Sequence, residues 1–174
     1  MVFTILTGCN SKPASSGQTT AASTEAVKTA AADKPKYIFL FIGDGMSYVQ
    51  TNAAQVYLGN NTSGEVETES LNFTQFPVIG NVTTYDSTSF CPDSASTATA
   101  LSCGVKTHSG VIGLKVDKTT APQSITELLK AEGKKIGIIS SVTINHATPA
   151  AFYAHIASRN DYYEIAGQLA ESDF

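Results

Sequence analysis

The sequence predicts an α/β domain built on a mostly parallel central sheet with flanking helices. Three observations carry this. The apolar runs Tyr37-Ile38-Phe39-Leu40-Phe41-Ile42 and Ile136-Gly137-Ile138-Ile139 have the unbroken hydrophobicity of strands covered on both faces. Segments with helix start and stop signals alternate with them. Polar residues of chemical interest follow strand ends, Asp44 after the first and His146 and Thr148 after another. In open α/β sheets ligands collect beyond the carboxyl ends of strands.

The domain starts near Lys34 and its first strand covers 37–42. Gly43-Asp44-Gly45 ends it, and 46–58 reads as a helix with Ala53, Ala54, Val56 and Tyr57 along it. Residues 59–70 are polar and loop-like, and 78–85 reads as a strand with Gly80 as a bulge. A small-residue helix follows from Ser94 to about Cys103 and stops at Gly104. After a glycine-bearing loop over 106–113, Ser124-Ile125-Thr126-Glu127 is a capping box. The helix it opens ends at Gly133, and 135–142 is a further buried strand. Thr148-Pro149 opens the next helix, with Thr148 as its cap and proline in its favoured first position. A last helix covers 162–171, and no internal repeat is visible.

The 174 residues suffice for one domain with a sizeable core. The net charge is −4, only 15% of residues are charged, and no basic run stands out. That excludes a general nucleic-acid binder, which needs a clustered positive face. A small anionic substrate remains possible, because one arginine can suffice for it. Met1 to Leu6 is too short an apolar run to span a membrane. Leu6-Thr7-Gly8-Cys9 resembles the bacterial lipobox. Either residues 1–9 are a clipped lipoprotein signal with Cys9 lipidated, or the match is chance. The Ser/Thr/Ala-rich stretch 10–34 reads as a disordered tether. The expectation is an extracytoplasmic protein, periplasmic or at the cell surface, held to the membrane by lipid at Cys9. Of the three cysteines, Cys91 and Cys103 sit about a dozen residues apart along a predicted helix, too far for a disulfide. Both are expected to be small buried residues.

The run Pro92-Asp93-Ser94-Ala95-Ser96-Thr97-Ala98-Thr99-Ala100 sets a serine beside a carboxylate, followed by small side chains. Asp93 or Ser94 is either a plain N-cap or part of an anion site at a helix N-terminus. Asp44, between two glycines, is either a cap or turn residue or a hard oxygen ligand for zinc or magnesium.

Taken in order, these segments resemble the alkaline phosphatases. Ile42-Gly43-Asp44-Gly45-Met46 is similar to that family's first metal-ligand motif, and Asp93-Ser94-Ala95-Ser96-Thr97-Ala98-Thr99 to its nucleophile signature. His146-Ala147-Thr148-Pro149-Ala150-Ala151, followed by Arg159, resembles its magnesium and phosphate-binding segment. The resemblance covers roughly 36–174, so 35–174 is expected to be the N-terminal part of a catalytic domain with an alkaline-phosphatase-like fold.

The resemblance implies roles residue by residue. Ser94 would take the phosphoryl group as a phosphoserine, with zinc, which it also ligates, activating its hydroxyl. Asp44 would be shared between that zinc and magnesium, and Thr148 would ligate magnesium through its hydroxyl. Arg159 would clamp two phosphate oxygens, and Asp93 would position Arg159. His146 stands where many bacterial members have aspartate and others histidine, so the third metal would be less strictly magnesium, or be reached through water. Cys91 replaces the usual branched aliphatic residue. His108 is expected to be structural or exposed and His155 to be a packing residue. The resemblance further implies two zincs and one magnesium per site, small phosphomonoester substrates and a homodimer.

Only His146 of the three histidines matches a metal position. The fold is therefore expected to be incomplete because the chain is a fragment, with further zinc ligands beyond Phe174. The 174-residue piece is expected to lack activity that its full-length parent has. Two alternatives stand beside this reading: a phosphodiesterase of the same superfamily, and a non-catalytic lipid-anchored phosphate-binding fragment. A sulfatase fails because Ala95 and Ser96 follow Ser94, and no Gly-x-Ser-x-Gly elbow supports a serine esterase.

Overall fold

The computed structural model describes residues 35–174. Cys9, the signal expected over 1–9 and the tether expected over 10–34 lie outside the described residues. The described chain divides into a first unit that ends at Asn81 and a second, Val82–Phe174.

In the first unit, helix α1 covers Tyr48–Ser63. Ser47 caps it, and the Gln50 side chain accepts from the Ser47 amide at 3.0 Å, completing a capping box. The helix outruns the expected 46–58. Thr62 and Ser63, weak helix formers, bond their hydroxyls back to the carbonyls of Leu58 and Gly59 at 2.8 and 3.1 Å. Gly64, left-handed at φ 73, stops the helix and donates its amide to Asn60. A 3₁₀ turn follows at Asn72–Gln75.

The second unit holds four helices. Helix α2 covers Ser94–Cys103 and starts on Asp93, whose carboxylate accepts from the Ser96 amide; Gly104, at φ 68, ends it. Helix α3, Ile125–Ala131, carries the Ser124/Glu127 capping box. Helix α4 is a single turn, Ala147–Ala150, and helix α5 covers Tyr162–Glu171. His146, not Thr148, stands at the N-cap of α4, and Pro149 is its third residue. Proline fits there because the first turn's amides have no intrahelical partner in any case.

Helix α2 packs against α3 and α4. Ala95, Ala98, Ala147, Ala150, Ala151 and Ala154 form most of the core, around Ile112, Tyr153 and Ile165. Methyl side chains let α2 and α4 approach closely, which explains the small-residue run of the sequence. The loop 107–113 is tied to α2 by the fully buried Thr99. Its hydroxyl accepts from the Gly113 amide at 2.9 Å and lies 3.3 Å from the Val111 carbonyl. An isolated antiparallel bridge pairs Ile112 with Ile156. His155 does pack, and it is also bonded at both ring nitrogens, to the Gly113 carbonyl and at 3.1 Å to Glu127.

The expected sheet is not formed among the described residues. Stretches 37–42, 78–85 and 135–142 carry no strand ladder. Residues 136–140 do alternate, with Ile136 and Ile138 half-buried and Ile139 fully exposed. This is the period of a strand with one face on a helical layer. An unbroken apolar run reports the burial a strand demands, whereas its hydrogen bonds come from neighbours elsewhere in the chain. The cysteines differ too. Both are free thiols, but Cys91 is exposed and Cys103 half-buried. Cys91 lies in a turn where its carbonyl accepts from the Ser89 hydroxyl at 2.9 Å, which leaves its side chain outside the core.

Buried Tyr153 donates its hydroxyl to the Ile144 carbonyl at 2.8 Å, and burial pushes its pKa up to about 12. A raised folded pKa means its contribution to stability is complete below pH ~10 and is lost as pH rises toward the folded value. Urea titration should find Tyr153→Phe weaker by about 1 kcal/mol at pH 9. That deficit should shrink as pH climbs past 10, and a deficit constant across this range would contradict the assignment.

Candidate active site

Asp93 organises the site. It sits in extended backbone immediately before α2 and caps that helix, Oδ1 accepting from the Ser96 amide at 3.1 Å. Its other oxygen accepts from an Arg159 guanidinium nitrogen at 2.9 Å. Both side chains are about three-quarters buried, which weakens solvent screening of the pair. Burial alone would raise the Asp93 pKa. The amides of Ser96 and Gly110, the Arg159 guanidinium and the Ser96 hydroxyl outweigh it and hold the carboxyl below its usual range. The Arg159 backbone is fixed as well, its amide donating to the Gly110 carbonyl at 2.8 Å.

Ser94 is the first residue of α2, half-buried, one position beyond the cap. The residue therefore stands at the positive end of a helix, next in sequence to the aspartate that holds Arg159. The structure thus brings Asp93, Ser94 and Arg159 together. His146 and Thr148 lie at the start of α4, the turn packed on α2. Asp44 belongs to the first unit, in a turn closed by the Met46 amide on the Gly43 carbonyl at 3.1 Å; Gly45 there has φ 70, a conformation that favours glycine.

Metal donors are present only in part. The Nδ1 of His146 is buried with no hydrogen-bond partner among the described residues, as suits a nitrogen awaiting a ligand or water. Asp44 and Thr148 offer the oxygen donors that magnesium prefers. Yet no three His, Cys, Asp or Glu side chains gather into a group able to hold a metal ion among the described residues. The described residues do not build a complete zinc centre.

One residue of the site escaped the sequence reading. Asp86, 7% exposed, accepts on Oδ1 from the amides of Thr88 and Ser89, both at 2.7 Å, and from the Thr88 hydroxyl. Its Oδ2 accepts from the hydroxyls of Ser96, at 2.8 Å, and Ser109. Burial would raise its pKa, but the Ser109, Thr88 and Ser96 donors drive it well below the carboxylate range. Asp86-Ser87-Thr88-Ser89 is an Asx-turn pattern, and that was the available signal.

The family profile for alkaline phosphatase matches residues 35–173, nearly the whole described chain. The protein belongs to the alkaline phosphatase family. Among curated alkaline phosphatases, the membrane-bound enzyme of Bombyx mori is 39% identical over 141 residues, covering 75% of this chain and 26% of its own length. Alkaline phosphatase 4 of Drosophila melanogaster is 41% identical over 134 residues, covering 73% and 22%. The chain spans about a quarter of the length of these relatives. Among solved structures, alkaline phosphatase from the Antarctic bacterium TAB5 aligns with a TM-score of 0.60 at 40% identity, over 71% of this chain and 35% of that one. The cold-active alkaline phosphatase of a psychrophilic Shewanella aligns at 0.69 and 34% identity, over 76% and 33%. A variant of the TAB5 alkaline phosphatase, at 0.60 and 38% identity over 71% and 34%, has magnesium bound in its M3 site.

Proposed function

We propose that the whole protein hydrolyses phosphate monoesters through a phosphoserine on Ser94. The observation that carries this reading is the Arg159–Asp93 pair, fixed at 2.9 Å beside the first residue of α2. In the proposed reaction the Ser94 hydroxyl attacks phosphorus, the ester P–O bond breaks and the alcohol departs. Water then cleaves the phosphoserine to release inorganic phosphate. A guanidinium carries five N–H donors. Asp93 engages one nitrogen of Arg159, so the remaining donors can grip phosphate oxygens in the plane that this pair sets. The N-terminus of α2 adds a favourable field for the anion.

Zinc and magnesium, when bound, would activate the hydroxyl and offset charge on the phosphate. Asp44, His146 and Thr148, with Ser94, are the residues of this chain we assign to hold them. Magnesium in the TAB5 variant and the orphaned Nδ1 of His146 support that assignment. We further propose the mostly parallel sheet for the whole protein, in which 37–42, 78–85 and 135–142 find their neighbours. Assembly as a homodimer, and an extracytoplasmic, lipid-anchored setting through Cys9, complete the proposal. The lipobox resemblance and the family support these two.

With both metals supplied, the whole protein should turn over p-nitrophenyl phosphate far faster than bis(p-nitrophenyl) phosphate. Arg159→Ala should lower kcat/KM for the monoester roughly thirtyfold, as befits charge-assisted bonds of about 2 kcal/mol, with Arg159→Lys restoring only part of it. A preference for the diester, or no monoester turnover, would reject the reading.

A further inference from the structure

Asp86 has no place in the proposed chemistry, yet it bonds Ser96 and Ser109, the neighbours of the Asp93–Arg159 pair. Its Oδ2 binds the hydroxyl of Ser96, the residue whose amide caps on Asp93. The same oxygen binds the hydroxyl of Ser109. Ser109 precedes Gly110, whose carbonyl accepts the Arg159 amide at 2.8 Å. One buried carboxylate therefore ties together the start of α2, which bears Asp93, and the loop on which Arg159 hangs.

The Ser96 hydroxyl has a single proton and three nearby acceptors. They are Asp86 Oδ2 at 2.8 Å, Asp93 Oδ1 at 3.0 Å and the Asp93 carbonyl at 3.2 Å. The hydroxyl therefore lies between the two carboxylates and links Asp86 to Asp93. Without Asp86 the link from Ser96 to a second carboxylate is gone, and loop 109–110 loses its anchor.

We propose that Asp86 is a positioning residue for phosphate binding, acting on Arg159 through Ser96–Asp93 on one side and Ser109–Gly110 on the other. This rests on the phosphatase reading. The test uses the metal-loaded whole protein and measures kcat, KM and the inhibition constant of inorganic phosphate, a quantity that does not depend on the fraction of molecules folded. Asp86→Ala should raise that constant about fivefold and lower kcat/KM about tenfold. Asp86→Asn should stay within about twofold of the parent. Its amide oxygen keeps the Thr88 and Ser89 amides, and its NH₂ can donate to the Ser96 and Ser109 hydroxyls, which then accept. Should Asp86→Ala not fold, Ser109→Ala cuts the loop anchor alone and should raise the constant about twofold. An active parent whose phosphate constant is unchanged in Asp86→Ala, or in Ser109→Ala where that variant stands in, overturns the role of Asp86 alone. A parent with no monoester turnover would instead reject the phosphatase reading, and this role with it.

Discussion

In the whole protein, Ser94→Ala should abolish the proposed phosphomonoester hydrolysis, lowering kcat by roughly a thousandfold or more, because it removes the proposed nucleophile at the first position of α2. The expected separation of activity from stability makes this informative. Asp93, not Ser94, caps the helix through the Ser96 amide, so the substitution removes no cap bond. Alanine is also the best helix former, and the thermal midpoint should change little. The parent, mixed with substrate and quenched in acid, should retain phosphate on Ser94, and the variant should retain none. A variant within tenfold of the parent kcat would dismiss Ser94 as nucleophile.

The largest stability effect is expected at Gly113. Its φ is +62°, and a Cβ there would lie 2.2 Å from the Ala154 carbonyl oxygen and 2.7 Å from the His155 ring. Neither neighbour can yield cheaply. The Ala154 carbonyl is backbone, and the His155 ring is held at both nitrogens. Gly113→Ala should therefore cost about 3 kcal/mol or more, combining left-handed strain with a backbone clash. Gly110 supplies the control. It too is left-handed, at φ +82°, but a Cβ there meets nothing within 4 Å. Gly110→Ala should cost only about 1 kcal/mol. Urea midpoints for the two variants measure the difference directly, and equal losses would show that the clash is relieved by movement of the Ala154 backbone.

Local signals carried the helices well. Ser124 and Glu127 lie three residues apart and cap one turn through each other, so their pattern is readable in a line of text. Gly104 and Asp93 are equally local. The end of α1 was not legible, because hydroxyls that bond back to a preceding turn look like loop residues. Thr148 was misplaced as a cap, since threonine before proline suits several positions of a first turn. The Arg159–Asp93 pair bridges 66 residues and was reached only by resemblance to a family. Asp86 was missed for a related reason: its Ser109 partner is 23 residues away, and nothing in either residue's neighbourhood announces the other. Strands suffer most from this, because their bonds are entirely non-local.

The methyl-lined core of the second unit has a consequence for how this protein tolerates change. A residue that is already alanine cannot be cut back to leave a large void, since only the step to glycine remains. Ala95, Ala98, Ala147, Ala150, Ala151 and Ala154 are therefore nearly immune to the truncations that damage leucine-rich cores. Every other substitution at these six positions adds volume between helices already in contact, and over-packing forces them apart. The mutational ledger of this core is one-sided: harm comes from growth, and the helix it would displace is the one that begins with Ser94.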